Sequence, residues 1–222
     1  MKKIDLTALA IFAAATFLLV WPESAGPMEW LTRHQRYRLG FLVFAILGPL
    51  GEAAAARLGG RPWPRPALLA ASSLMWGLYG LGAALIFWLF SGGVAVAQGA
   101  GLLPGGSLRL GAHFLKAFFG SSFFTEPFFT SLLVSFCFTA PFLAARRLGG
   151  AAFSLWAEGQ RPDLRLASEA ADWPAFIRSE AVALPLFRVP CQTFIFMLPP
   201  SLWLPATAWL FVLLAALSPK RP

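Results

Sequence analysis

The chain has 222 residues, 58% of them hydrophobic and only 13% charged, about half the charge of an average soluble domain. Its net charge of +8 would suit a nucleic-acid binder, but the basic residues stand in small groups beside apolar segments, which fits the positive-inside bias of membrane proteins and excludes nucleic acid as a partner. The loops are too short for a separate globular domain, so composition predicts a single integral membrane domain over 1–222, an all-α polytopic bundle whose first partner is the lipid bilayer.

Six apolar, nearly uncharged stretches carry this reading, near 6–21, 39–56, 67–97, 123–145, 181–198 and 201–217. Each is about long enough for a membrane helix, which needs roughly 17–25 residues. The first follows Met1-Lys2-Lys3 and precedes Pro22-Glu23-Ser24-Ala25, the form of a signal sequence. Its length and the interfacial anchor Trp21 favour an uncleaved span; cleavage would leave five spans. Residues 22–38 read as a polar connection with Arg33, His34, Arg36 and Arg38. The second span contains Gly48-Pro49-Leu50-Gly51-Glu52, and a loop with Arg57, Arg61 and Arg65 follows.

In the third span Ser73, Gly77, Gly80 and Ala84 fall on one face, a small-residue stripe suited to close helix packing in lipid. The Gly- and Pro-rich stretch 99–106 is turn chemistry, and 107–122 reads as a mildly amphipathic interfacial segment. The fourth span is expected to end at Arg146-Arg147. The longest polar loop, 148–178, is expected to hold a short surface helix within 163–173. The last two spans form a tight pair turned by Pro199-Pro200 or Pro205.

With six spans and both termini cytoplasmic, the inner side carries Lys2, Lys3, Arg57, Arg61, Arg65, Arg146, Arg147, Arg161, Arg165, Arg178, Lys220 and Arg221. The outer side carries Arg33, Arg36, Arg38, Arg109 and Lys116. The bias supports this topology, and the Arg33–Arg38 cluster runs against it. The Ala-, Leu- and Arg-rich composition, without a Ser- and Arg-rich transit peptide, points to a bacterial cytoplasmic (inner) membrane.

Ionisable residues inside spans are costly and mark function by default. Glu52, Glu126 and Arg188 are the candidates, and Glu180, Arg188 and Gln192 share a helical face. Two readings stand for Arg188: a pair with Glu52 or Glu126 lining a polar cavity or pore, or a structural ion pair that fixes helix register. Ser131, Ser135 and Thr139 form a hydroxyl stripe at i, i+4 spacing, and Glu126 and Thr130 a parallel one. Such hydroxyls either line an aqueous path or bond back to the helix or across to a neighbour.

Catalytic signatures are missing. His34 and His113 are the only histidines and lie near span ends, which rules out a haem held by two histidines within spans. No HExxH, GxSxG or phosphate-binding Gly loop occurs. Cys137 and Cys191 lie in apolar segments and read as two small, buried, inert thiols. The expectation is no enzyme, no metal and no cofactor.

Gly48-Pro49, Phe129-Thr130-Ser131 with Ala140-Pro141, Trp173-Pro174 leading to Val189-Pro190, and a final span with Trp203 and Trp209 together resemble bacterial relatives of the Mpv-seventeen / peroxisomal membrane protein family. The resemblance covers residues 40–215, on short apolar motifs. Met75-Trp76-Gly77-Leu78-Tyr79-Gly80 resembles an added element of the bacterial branch. Departures are visible. Members usually show Asn-Phe between Trp-Pro and Val-Pro, an Arg after Val-Pro and an Asn after the last Trp. Here Ala183-Leu184 and Phe194 take roughly those places, Arg188 precedes Val-Pro, Leu210 follows Trp209, and the Trp173–Val189 spacing is longer. The resemblance implies a channel-like or membrane-homeostasis role, with no catalytic residues.

The expected function is therefore channel-like solute permeation, with Glu52, Glu126, Arg188, Gln192, Ser131 and Ser135 as polar determinants. The alternative is a structural or assembly partner that binds other membrane proteins, or its own copies, without transport activity.

Overall fold

The computed structural model describes residues 25–58, 60, 62–63, 65–104, 122–157, 159–161 and 163–217. The expected first span at 6–21 and nearly all of the interfacial segment 107–122 lie outside the described residues.

Every regular element among the described residues is helical. The order is α1 (Ala25–His34), α2 (Arg36–Leu58), α3 (Pro66–Gly99), α4 (Ser122–Leu133), a π-helical turn (Val134–Thr139), α5 (Ala140–Ala157), α6 (Leu164–Ala170), α7 (Trp173–Ala183), a second π-helical turn (Leu184–Arg188), α8 (Val189–Phe196), a 3-10 turn (Pro200–Leu202) and α9 (Trp203–Leu217). Three helical runs are long and apolar enough to cross a membrane: Arg36–Arg57, Pro66–Gly99 and Phe124–Trp156, with Pro200–Leu214 as a shorter apolar helix. Between 28% and 39% of their most apolar stretches is buried inside the protein, so most of that surface needs lipid to cover it. These features mark a helical membrane protein.

The three long runs match the second, third and fourth expected spans, with two differences. The run that was to end at Arg146-Arg147 continues to Ala157, because arginine is a good helix former and Ala151, Ala152, Leu155 and Trp156 carry the helix on. Most of the fifth expected span, 181–198, lies in a helical run from Trp173 to Phe196, which carries Arg178, Glu180 and Arg188 and is not among the three long apolar runs. At 34 residues, α3 is roughly 50 Å long, against a hydrocarbon core of about 30 Å. It must tilt or extend beyond that core.

Both π-helical turns have the same cause. The first ends next to Ala140-Pro141 and the second next to Val189-Pro190. A proline within a helix lacks the N–H for the i−4 carbonyl, and its ring crowds that carbonyl. In each case the residue before the proline donates five residues back: Ala140 N–H to the Ser135 carbonyl and Val189 N–H to the Leu184 carbonyl. The widened turn makes room for the ring. The two widened turns lie in contact with each other.

The chain divides into two compact units. The first comprises the residues to Leu85 and from Leu198, the second Ile86–Met197. In the first, α2 packs on α9 around Phe44, Trp76, Tyr79 and Phe211, whose rings meet mostly edge to face at centroid distances from 5.0 Å (Phe44–Tyr79 and Trp76–Phe211) to 6.4 Å (Phe44–Trp76). Glycines bring the helices this close. Gly48 receives the Trp76 ring, Gly77 receives Phe41, and Gly40 and Gly80 meet backbone to backbone. The small stripe of the third span thus serves close packing at Gly77 and Gly80. A Cβ on Gly80 would strike the Gly40 carbonyl, which has no flexible end to yield. Gly80→Ala is therefore expected to destabilise the protein in detergent by about 1–3 kcal/mol, as overpacking does. Gly93→Ala, with nothing within 4 Å, should stay within about 0.5 kcal/mol of wild type. Thermal unfolding followed by circular dichroism compares the two; equal midpoints would contradict the close backbone contact.

In the second unit α8 packs on α4, and α6 packs on α5. Its interior mixes apolar Phe87, Val94, Val134 and Phe196 with a run of buried hydroxyls.

Candidate functional site

The intramembrane ionisable residues have separate settings. Glu52, in α2, accepts the Ser72 Oγ–H at 2.8 Å and the Trp76 indole N–H at 2.5 Å. Both donors are on α3, one turn apart, so the carboxylate is clamped to the aromatic core of the first unit.

Arg188 ends the second π-helical turn. Its Nε and Nη2 donate to the two carboxylate oxygens of Glu180 at 3.1 and 3.3 Å, a fork-to-fork pair. The side chains are 12% and 17% exposed. Of the two readings of Arg188, the pairing with Glu126 is not what forms: the guanidinium is seated on Glu180, a residue the sequence places on its face. Gln192, one turn beyond Arg188, is buried.

Glu126, in the long run Phe124–Trp156, accepts one hydrogen bond, from Ser91 Oγ of α3 at 3.2 Å. A carboxylate offers about four acceptor sites, and no ion pair reaches this one among the described residues. Seven residues on along the same face of α3, Gln98 donates to Thr125 Oγ1 and to the Pro104 carbonyl, each at 3.1 Å. One turn along α4 from Glu126, Thr130 is buried, and its hydroxyl has no hydrogen-bond partner among the described residues.

Ser131, Ser135 and Thr139 are all buried. Ser131 Oγ donates across to the Val189 carbonyl at 2.7 Å, and Thr193 Oγ1 donates to the same oxygen from within α8, also at 2.7 Å. The cross-helix role expected of such hydroxyls is met at Ser131, which ties α4 to the end of the second π-helical turn.

Ser91, Gln98, Ser72 and Trp76 are not marked as partners by the sequence, since each lies on a helix distant in sequence. The structure adds a corner at 171–173. Asp172 has φ 40° and ψ 62° and caps α7 by accepting from the Ala175 N–H at 3.3 Å. Arg147 Nε donates to the Ala171 carbonyl at 2.7 Å, and the Trp173 indole donates to Ser168 Oγ at 3.1 Å. Asp followed closely by Pro174 is a helix-start signal that could have found it. Cys137 is exposed and Cys191 half-buried, both free, so the expectation of two buried thiols fails at Cys137, which the widened turn leaves on the surface. Among the described residues no group of three or more His, Cys, Asp or Glu side chains could hold a metal ion.

Compared with known proteins, the chain matches no family model, no curated protein and no solved structure.

Proposed function

We propose that this is a channel-like membrane protein of the bacterial cytoplasmic membrane, with both termini cytoplasmic, that lets small solutes permeate and has no catalytic chemistry of its own. One observation carries the reading: Glu126 lies in a membrane-length apolar helix and, among the described residues, is held by a single neutral donor. A charge costs roughly 2.5–3.5 kcal/mol at the centre of a span on insertion scales and less near its end, where Glu126 stands, and a carboxylate left with spare acceptor sites there suits contact with a permeating solute. The buried hydroxyls beside it extend the polar surface, and the resemblance to the Mpv-seventeen family agrees. Glu52 and Arg188 take supporting parts, since each is already occupied by its neighbours. In liposomes, wild type is expected to release small cations faster than protein-free vesicles. Glu126→Gln should lower cation over anion permeability by about fivefold or more, the equivalent of one charge at about 4 Å even at the dielectric of water. Fluxes equal to protein-free vesicles would overturn the proposal.

A second reading is a structural or assembly partner in the membrane. Gly92 and Gly93 favour it, because a Cβ at either would meet open space where another helix could approach closely. It predicts silent vesicles and a co-purifying membrane protein that Gly92→Leu releases.

A further inference from the structure

The Arg33–Arg38 cluster, which fits poorly with the charge bias of the other loops, has a definite setting. The helical hydrogen-bond ladder continues from α1 into α2: Gln35 N–H donates to the Leu31 carbonyl at 2.8 Å and Leu39 N–H to the Gln35 carbonyl at 3.0 Å. Trp30, Arg33, His34, Tyr37 and Arg38 therefore recur at the i, i+3, i+4, i+7 and i+8 positions of one face. That face is open. Trp30 is 52% and Tyr37 48% exposed, and the Arg33 side chain is 72% exposed. Thr32, on the other side of α1, is buried, and α1 rests on α2 and on the turn Pro200–Leu202. The Trp30 and His34 rings stack at 5.1 Å, with His34 Nδ1 3.1 Å from the Trp30 carbonyl. The membrane-length run begins at Arg36, so the collar sits at the boundary of an apolar span.

Tryptophan and tyrosine at such a boundary settle at headgroup depth, and arginine there meets phosphate with a planar fork. Residues 25–38 carry Arg33, Arg36 and Arg38 against one carboxylate, Glu29, which holds Arg33 in an exposed i, i+4 pair, an interaction worth only about 0.3–0.5 kcal/mol. We infer that the face formed by Trp30, Arg33, Tyr37 and Arg38 binds the headgroups of anionic phospholipids and selects them over zwitterionic ones. The phosphate takes the arginine forks, displacing Glu29 from Arg33, while the two aromatic rings lie among the glycerol and upper acyl groups.

The test is native mass spectrometry of the purified full chain in detergent with equimolar dioleoylphosphatidylglycerol and dioleoylphosphatidylcholine, reading the ratio of the two lipids retained. At about fivefold per basic residue near an anionic surface, Arg33→Gln/Arg38→Gln should lower that ratio by roughly 25-fold. Arg165→Gln, an exposed arginine paired with Glu169, should leave it unchanged. A ratio unchanged in the double variant, or lowered equally by Arg165→Gln, would overturn the inference. The readout does not depend on transport activity.

Discussion

Trp76→Ala is expected to lower the stability of the detergent-solubilised protein by about 3–5 kcal/mol, the range for removing a large aromatic from a packed core. The indole is 4% exposed and meets the rings of Phe44, Tyr79 and Phe211, with Gly48 leaving space for it. It also donates one of the hydrogen bonds that satisfy Glu52. Truncation opens a void and takes a donor from a carboxylate inside an apolar helix, and both effects act in one direction. Trp76→Phe separates them. It keeps most of the packing and loses the N–H, so it should cost about 1–3 kcal/mol, the penalty for leaving an acceptor short of its partner. Trp88→Ala, at a residue 40% exposed, is the control for tryptophan loss as such. Unfolding in mixed micelles with increasing SDS reads all three. Equal losses for Trp76→Ala and Trp88→Ala would contradict the clamped-core description of the first unit.

The second large effect belongs to Arg188. Removing one member of a poorly hydrated ion pair leaves the other charge without its counter-ion, which costs about 3–5 kcal/mol, whereas replacing both with neutral groups is often tolerated. Arg188→Ala should therefore fall near the lower end, about 3 kcal/mol, because the pair keeps 12% and 17% exposure. Arg188→Gln/Glu180→Gln should recover most of that loss, giving a large coupling energy in a double-mutant cycle. A stable Arg188→Ala protein with altered permeability would instead make Arg188 a residue of the path itself.

Legibility in the sequence followed the physics of each feature. The helices α2 and α3 were readable to within a few residues, since an unbroken apolar run bounded by Arg, Gly and Pro leaves little choice in lipid. The end of α5 was not, because charge marks where a segment leaves the membrane and not where its backbone ladder stops. The widened turns before Pro141 and Pro190 were visible only as proline breaks. Their consequence is visible at Arg188. Eight residues of regular helix would set Arg188 about 80° past two full turns from Glu180, and the intervening π-helical turn takes up that excess and faces the pair. Glu52, Glu126 and Arg188 are visible in the sequence as ionisable groups in apolar stretches, and Glu180 as a neighbour of Arg188 on one helix, but the partners of Glu52 and Glu126 are not. Ser91, Ser72 and Trp76 meet them through helix packing between residues far apart in sequence, which periodicity does not encode.

The reversal potential of purified protein in planar bilayers under a potassium chloride gradient, wild type beside Glu126→Gln, shows whether Glu126 is the charged group a permeating solute meets. The wild-type potential is expected to be displaced toward the potassium equilibrium value and to move clearly toward zero in the variant, with both proteins equally stable. A conducting wild type whose reversal potential is unchanged by Glu126→Gln would contradict it.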